Sequence, residues 1–321
     1  MISLTSKLCL ENVTGVTEFL LLGFQMLPQL KPFLFIMFFT IYLLTVTGNL
    51  LIVVTVSTHA HLHSPMYFFL ANLSFVEVWY TTSIVPPMLS GMLTGGIMIS
   101  PSSCISQFHI SGGLVTSECF LLTMMAYDRY VAICYPLHYA KLMGQSHCIM
   151  LTLSAWVAAF LLSSITSILL SMLQFSRNTF IDHFFCDFNS IVNAACSDTS
   201  VVEMEVFVVS SIISSVSLIL IIVSYLYIIA AILRIPSERG RHRAFSTCSS
   251  HLAVVSTFFG TLIIIYVAPT NGQNLNINKA FSLLYTVATP LLNPIVYTLR
   301  NKDIRDALKK RSLRNVVFLK K

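Results

Sequence analysis

Charged residues are scarce in this sequence: Asp, Glu, Lys and Arg make up 10% of its 321 residues, whereas 55% are hydrophobic. Soluble domains contain roughly 25% charged residues. A chain with so little charge cannot cover itself with polar surface, so much of its exterior has to face lipid rather than water. The composition therefore excludes an ordinary soluble domain.

The patterns of three other kinds of membrane protein are also missing. Strict alternation of apolar and polar residues, the mark of a membrane β-barrel, is absent. An intramembrane enzyme would need a nucleophile–base set or a His-Glu-x-x-His run, and neither occurs. A secondary transporter would show internal repeats and interrupted helices with coupled charges, of which Glu77 and Glu118 are the only hint.

Seven long apolar runs are present, each of about 20 residues or more, which suffices to cross the roughly 30 Å hydrocarbon core as a helix. We therefore predict an all-α membrane protein, a seven-transmembrane helix bundle in which residues 1–321 form one domain. Residues 1–29 precede the bundle, residues 30–299 form it, and residues 300–321 are a tail. The runs are Phe33–Val56, Met66–Leu89, Cys104–Ile133, Cys148–Leu170, Val201–Leu233, Ala244–Val267 and Ala280–Leu299.

Lysine and arginine are distributed unevenly between the two sides of these runs. Fifteen of the 19 lie near the connections after the third and fifth runs or in the tail. The positive-inside rule then places the C-terminus in the cytosol and the N-terminus outside the plasma membrane. Asn12 begins an N-glycosylation sequon in that outer segment, so we expect it to carry a glycan. No cleavable signal peptide is evident, and the first run is expected to act as the signal anchor.

The basic tail contains a stretch with helical periodicity. In Lys302–Arg311, the apolar residues Ile304, Ala307 and Leu308 fall on one helical face. This pattern predicts a short amphipathic helix lying on the membrane, with anionic lipid and a cytosolic protein rather than nucleic acid as partners. A frayed, solvated tail is the alternative.

One motif combines charge with an apolar run. Asp128 and Arg129 stand side by side at the end of the third run, where charge is costly and a fixed pair is a functional candidate. The surrounding residues 125–134 (MAYDRYVAIC) resemble the signature at the cytoplasmic end of the third helix of olfactory receptors. That family belongs to the rhodopsin-like G-protein-coupled receptors.

Further motifs along almost the whole chain resemble the same family in the same order. They are Gly48-Asn49, residues 65–74 (PMYFFLANLS), Ser224-Tyr225, residues 243–252 (RAFSTCSSHL, with Arg243 where Lys is usual) and residues 290–297 (PLLNPIVY). The short connection between runs six and seven resembles the tetrapod-type class. The resemblance implies an odorant receptor, not an enzyme, that activates a stimulatory olfactory Gs-type G protein and raises cAMP. A receptor of the same fold expressed outside the nose remains an alternative.

The resemblance also implies a conformational switch. Arg129 would be held by Asp128 at rest and would face Tyr225 and a G protein when active. Pro294 removes a backbone donor and should kink its helix beside Asn293. The alternative is that these residues only cap and pack helices. The predicted coupling residues are Asp128, Arg129, Tyr130, Tyr225, Asn293, Pro294 and Tyr297.

Glu77 and Glu118 are the only carboxylates well inside the runs. An unpaired carboxylate at the bilayer centre costs about 3 kcal/mol, so both should face the bundle interior and share a cation or a proton. By resemblance they line a sodium pocket below the ligand site, although the family usually has Asp where Glu77 stands. Two protonated carboxylic acids bonded to neighbours are the alternative.

Two of the eight cysteines are expected to be paired. By resemblance, Cys104 and Cys186 form the disulfide that ties the long outer loop to the third helix. A second family bridge is expected to be missing, because Ser176 replaces one of its cysteines and leaves Cys196 either free or paired with Cys9. Metal sites are weaker alternatives: His183 with Cys186 or Cys196, and the alternating His59, His61 and His63.

A ligand pocket is expected between the outer halves of helices three, five, six and seven. By resemblance, the positions that match the pocket of the olfactory receptor family are mostly apolar, with a few hydroxyls and no charge. This chemistry favours a small, volatile, weakly polar molecule and argues against amines, which would want a buried carboxylate near Ser111. For any single position, plain helix packing is the alternative. The predicted ligand contacts are Phe108, Ser111, Gly112, Val115, Thr116, Val209, Ile213, Phe259, Leu262, Ile263, Tyr266 and Thr286.

Overall fold

The computed structural model describes residues 18–24, 28–175, 180–267, 279, 282–300 and 304–308. Within them, each of the first six predicted runs corresponds to a long helix, and the seventh corresponds to a π-helical segment followed by a shorter α-helix. The helices are α1 (Lys31–Thr58), α2 (Pro65–Thr94), α3 (Pro101–Cys134), α4 (Gln145–Ser171), α5 (Ser200–Leu233), α6 (Glu238–Val267) and α7 (Thr289–Arg300). A π-helical segment, Leu284–Ala288, leads into α7. The connections contain the short helices Tyr139–Leu142 and Phe188–Ala194 and the 3-10 turns Pro28–Leu30 and Ala60–Leu62.

Helices α1 to α5 are each long and apolar enough to cross a bilayer, with mean hydropathy between 1.2 and 2.8 over their best 18 residues. Helices α6 and α7 contain shorter apolar segments, His251–Leu262 and Leu284–Val296. Large apolar side chains lie exposed on the outside of the bundle, among them Phe207 at 69% and Leu161 at 60%. Such surface is stable against lipid but not against water. The chain is thus a multi-pass membrane protein.

Helix α3 packs against α2, α4 and α5, so it occupies the centre of the bundle. A glycine allows its close approach to α4, since a Cβ on Gly113 would lie 2.9 Å from the ring of Phe160. Another glycine serves α1 and α7: a Cβ on Gly48 would lie 3.1 Å from that of Pro294. Beside it, the Asn49 amide donates to the carbonyl of Pro290 at 3.1 Å. These contacts explain the Gly48-Asn49 motif as packing.

The outer end of the bundle departs from the purely helical prediction. Strand β1 (Phe19–Leu21) pairs antiparallel with β2 (Ile97–Ile99) and parallel with β3 (Phe180–Ile181). The order β2-β1-β3 joins the segment before α1 to two outer connections. Phe19 is fully buried beneath this sheet. Strands of two or three residues are too short to give a periodic signal, which is why the sequence did not predict them.

Disulfides reinforce the same end. Cys104, in the first turn of α3, is bonded to Cys186 in the connection before α5, as the resemblance implied. Cys196 is also disulfide-bonded, so the alternative of a free Cys196 thiol is wrong. Cys9 and Ser176 lie outside the described residues, as does Asn12 with its predicted glycan.

The tail segment 304–308 is helical. Ile304 and Ala307 are almost completely buried and belong to the main hydrophobic core, with Leu308 packed against it. The apolar face predicted to lie on the membrane therefore packs against the bundle, because the helix turns back beneath it. Arg305 and Asp306 lie on the exposed face.

Candidate ligand cavity and cytoplasmic switch

A cavity of about 150 Å³ lies in the outer half of the bundle, between α3, α4 and α5. Leu262 of α6, Tyr80 of α2 and Tyr285 of the π-helical segment also border it. Its lining exposes more apolar than polar surface. The second outer connection, residues 185–189, covers it.

Eight of the predicted ligand positions line this one cavity. They are Phe108, Ser111, Gly112, Val115, Thr116, Val209, Ile213 and Leu262. The side chains of Ile263 and Tyr266 lie outside the described part of the structure. The sequence therefore located the wall made by α3 and α5 well, while a ligand role for each residue stays a prediction.

Two predicted positions do not border the cavity. Phe259 is 2% exposed and packs edge-on against Phe258, with ring centroids 5.2 Å apart. Thr286 is fully buried, and its hydroxyl donates to the carbonyl of Ser282 at 2.6 Å. The π-helical turn around Thr286 changes the angular register that a regular helix would give it. Both residues pack the core beside the cavity.

An acidic residue that was not among the predicted ligand positions lies on the cavity wall. Asp187 lines the cavity together with Phe185, Phe188 and Asn189 from the same connection. Burial raises the pKa of the Asp187 carboxyl to about 6, an effect that the backbone N–H groups of Asn189 and Phe188 partly offset. The predicted ligand positions carry no charge, but the cavity wall also includes this acidic residue, which the prediction did not contain. The signal was present in the sequence, since Asp187 directly follows the disulfide cysteine Cys186.

On the side of Tyr80 and Tyr285, a second buried polar cluster lies between α2, α3 and α7. The Asn293 amide donates to Glu77 Oε1, and the carboxyl group of Glu118 lies close to that of Glu77. Glu77 Oε2 and Glu118 Oε1 are buried with no hydrogen-bond partner among the described residues. Two adjacent carboxyl groups cannot both stay ionised unaided. The donor set of free carboxylate oxygens fits a small hard cation, and it equally fits a shared proton.

At the cytoplasmic end of α3, Asp128 is fully buried and Arg129 largely so. Arg129 Nη2 lies 3.3 Å from Asp128 Oδ2. The other carboxylate oxygen of Asp128 accepts a hydrogen bond of 2.7 Å from the hydroxyl of Tyr139 in the following connection. Tyr130 is half-buried against the main core, and its hydroxyl donates to that of Tyr135 at 3.4 Å. The predicted Asp128–Arg129 pair thus exists, with Tyr139 as an unpredicted third member.

Tyr225 has a partner that the sequence analysis did not name. Its hydroxyl lies 2.7 Å from His251 Nδ1, and His251 Nε2 lies 3.2 Å from the carbonyl oxygen of Leu122. A carbonyl can only accept, so Nε2 carries the proton and Nδ1 accepts from Tyr225. His251 of α6 therefore ties α3 to α5. The side chain of Tyr297, the expected partner, lies outside the described residues.

The metal alternatives fail. Cys186 and Cys196 are both committed to disulfides. His183 is buried and lies 3.3 Å from the hydroxyl of Ser282, while its Nδ1 accepts from the backbone of Phe185. In the part of the chain that the structure describes, no group of three or more His, Cys, Asp or Glu side chains is arranged to hold a metal ion.

Fold and site together define a class. Among the described residues, six long helices and the shorter α7 form a bundle with an outer cavity and a buried ion pair at the cytoplasmic end of a cavity-lining helix. These are the parts of a helical membrane receptor of the G-protein-coupled type.

Sequence comparison supplies the family. A family profile described as olfactory receptor matches residues 38–315. Human olfactory receptor 11A1 is 48% identical over 295 residues, which cover 92% of this chain and 93% of that receptor. Human olfactory receptor 11L1 is 45% identical over 300 residues, covering 94% and 93%. The canine olfactory receptor-like protein OLF4 is 44% identical over 299 residues, covering 93% and 97%. The chain belongs to the olfactory receptor family, whose members are G-protein-coupled receptors rather than enzymes.

Proposed function

We propose that this odorant receptor binds small, mostly apolar volatile molecules in the outer cavity and then activates a stimulatory olfactory Gs-type protein, raising cAMP. The observation that carries the proposal is the position of α3. One helix lines the cavity with Ser111, Val115 and Thr116 and ends at the Asp128–Arg129 pair. A ligand that shifts α3 relative to its neighbours therefore changes both the cavity at its outer end and the Asp128–Arg129 pair at its cytoplasmic end.

The size of the cavity supports a small ligand. An apolar cavity of about 150 Å³ holds one benzene molecule, and this cavity has the same volume. Val115, Val209 and Leu262 supply dispersion contacts, which are individually weak but sum over the whole ligand surface. Molecules of roughly this size are volatile when they carry little charge.

For activation, we propose that α6 moves outward at its cytoplasmic end. His251 holds α6 to α3 and α5 through two hydrogen bonds, so this contact has to break first. Arg129 would then leave Asp128 and face the G-protein α subunit. This mechanism requires the N-terminus outside the plasma membrane and the C-terminus in the cytosol, the orientation that the basic residues favour.

We also propose that Glu77 and Glu118 hold a sodium ion in the resting receptor. The unpartnered oxygens Glu77 Oε2 and Glu118 Oε1 support this assignment. The rival occupant is a proton shared between the two carboxyl groups. Thermal unfolding of the purified receptor in sodium and in potassium separates the two, since only a sodium site is stabilised selectively.

An odorant panel tests the main proposal. Cells that traffic the receptor to the surface would express either the stimulatory olfactory α subunit or an inhibitory one, and cAMP would be read. We expect ligand-dependent cAMP increases with the stimulatory subunit, and loss of the bulkier agonists in Val115→Phe, which fills the cavity. Activation through the inhibitory subunit alone would overturn the coupling. Solute flux without any G-protein signal would favour a transporter.

A further inference from the structure

We infer that the cavity selects odorants with a hydrogen-bond-donating head group, amines above all, and that Asp187 is the residue that accepts from it. This inference rests on the proposed function and specifies its ligand class. It reverses the expectation, drawn from the sequence, that amines are excluded.

The first observation is the charge on the wall. Among the described residues that line the cavity, Asp187 is the only one that carries a charge. It is not part of either ion pair found in the described structure, which are Arg129–Asp128 and Lys279–Asp182. A carboxylate away from bulk water without a cation is unfavourable. The backbone N–H groups of Asn189 and Phe188 already donate to the Asp187 carboxyl group, which lacks only a cation. A ligand ammonium group would supply that cation, and a hydroxyl would be a weaker partner.

The second observation concerns the hydroxyl groups on the opposite walls. Thr116 donates to the carbonyl of Gly112 at 2.9 Å, and Ser163 donates to that of His109 at 2.8 Å. A hydroxyl has one proton to donate and two lone pairs. With the proton used inside the protein, each of these groups offers the ligand only an acceptor.

Two more lining hydroxyls repeat the pattern. Ser111 donates to the carbonyl of Phe108 at 3.1 Å, and Thr166 donates to a carboxylate oxygen of Glu205 at 3.0 Å. The polar part of the cavity is therefore rich in acceptors. An amine or alcohol finds acceptors in these four hydroxyls, whereas none of the four has a proton left to donate to a ketone, an ester or an aldehyde.

The third observation is that Asp187 is held in place. The preceding residue, Cys186, is bonded to Cys104 of α3, and its backbone N–H donates to Gln107 Oε1 at 3.0 Å. The following residue, Phe188, packs against Phe108 of α3 with ring centroids 6.3 Å apart. A fixed acceptor lowers the entropic cost of binding a head group. The carboxyl is thus positioned by the scaffold before a ligand arrives.

The test uses the purified full-length receptor and four ligands with the same six-carbon chain: hexylamine, hexanol, hexanal and hexane. Affinity is measured from ligand-induced shifts in thermal unfolding, and cAMP is measured in cells for the same set. We expect the order amine, alcohol, then aldehyde and hydrocarbon. In Asp187→Asn, the amine should weaken by roughly tenfold to one hundredfold, the range of a charge-assisted hydrogen bond, and the hydrocarbon by less than about twofold.

Asp198→Asn is the matched control, because Asp198 lies exposed near the end of the same outer connection, and its replacement should leave all four ligands unchanged. Asp187→Glu keeps the charge and should retain the preference for the amine, which guards against misfolding of the Asn variant. Equal affinity for hexylamine and hexane, or equal weakening of all ligands in Asp187→Asn, would overturn the inference. If hexanal or hexane still raised cAMP in that case, the proposed receptor function would stand.

Discussion

The two ends of the helix bundle are held together by different kinds of interaction. At the outer end, a three-stranded sheet, the Cys104–Cys186 disulfide and the Lys279–Asp182 ion pair, 2.5 Å long, join the connections to the helices. At the cytoplasmic end, the described polar contacts include the Asp128–Arg129 ion pair within α3 and the hydrogen bonds through which His251 joins α6 to α3 and α5.

This difference indicates which end moves. A covalent bond and a sheet resist separation on the timescale of signalling, whereas a net hydrogen bond contributes only about 1 kcal/mol. The binding free energy of a ligand of modest affinity is enough to break such a hydrogen bond at the cytoplasmic end, but not the disulfide and sheet at the outer end. We therefore expect the outer end to hold the cavity in place and the inner end to rearrange on activation.

Removing the Cys104–Cys186 disulfide should have the largest effect of the changes that test this difference between the two ends. We expect Cys186→Ser to abolish surface expression, since loss of a native disulfide costs about 2–5 kcal/mol and also frees Asp187 and Phe188 from the cavity. The matched control is Cys148→Ser, which alters a buried free thiol at the cytoplasmic end. Surface labelling measures both variants, and normal expression of Cys186→Ser would show that the outer end is not fixed by this bond.

Removing the cytoplasmic cation should leave the fold intact and remove the signal. We expect Arg129→Ala to reach the surface but to lose more than about 90% of agonist-driven cAMP, a change equivalent to at least 1.4 kcal/mol. Lys141→Ala, an exposed cation in the following connection, should respond normally. A trafficked Arg129→Ala receptor with full response would contradict the role given to the inner end.

Acid should weaken the outer end through His183. Burial, followed by the nearby charge of Lys279, lowers the pKa of His183 to about 3. The unfolded chain therefore binds more protons than the folded one between roughly pH 6.5 and 3, and His183 costs about 2 kcal/mol of stability at pH 5.

Asp187 acts in the opposite direction, because its raised pKa makes the folded state bind more protons between about pH 4 and 6. The contribution of His183 is therefore measured as the difference between wild type and His183→Gln in the stability that each loses with falling pH. We expect the variant to lose less stability than wild type from pH 7 to 5, as measured by thermal unfolding of the purified receptor. Parallel curves would show that His183 is protonated at no cost.

The cavity and the switch were predictable from sequence to different degrees. Helical periodicity and the family motifs located the α3 and α5 walls, because a residue's face on a regular helix follows from its number. The same reasoning misplaced Thr286, where the π-helical segment breaks that regularity. It also missed Asp187 and Tyr139, which lie in connections whose path depends on a disulfide and on tertiary packing.

His251 illustrates a further limit. It stood inside a recognised motif, yet a histidine in an apolar run is usually just packed, and its two partners are 26 and 129 residues away in sequence. Only the fold brings Leu122, Tyr225 and His251 together. Sequence therefore predicted the helices and their order well, and long-range polar partners poorly.

Removing one hydrogen bond from the inner end should have the smallest effect and test the comparison most directly. Tyr225→Phe keeps the ring against His251 but removes the hydroxyl that lies 2.7 Å from Nδ1. If this bond favours the resting arrangement by about 1 kcal/mol, basal cAMP should rise about fivefold at equal surface expression. Tyr227→Phe, on the exposed side of the same helix, should leave basal cAMP unchanged.

Combining Tyr225→Phe with His251→Phe should raise basal cAMP less than the product of the two single effects, since both substitutions remove the same hydrogen bond. A fall in basal cAMP in Tyr225→Phe would mean that this contact belongs to the active arrangement, and the assignment of the moving end would have to be reversed.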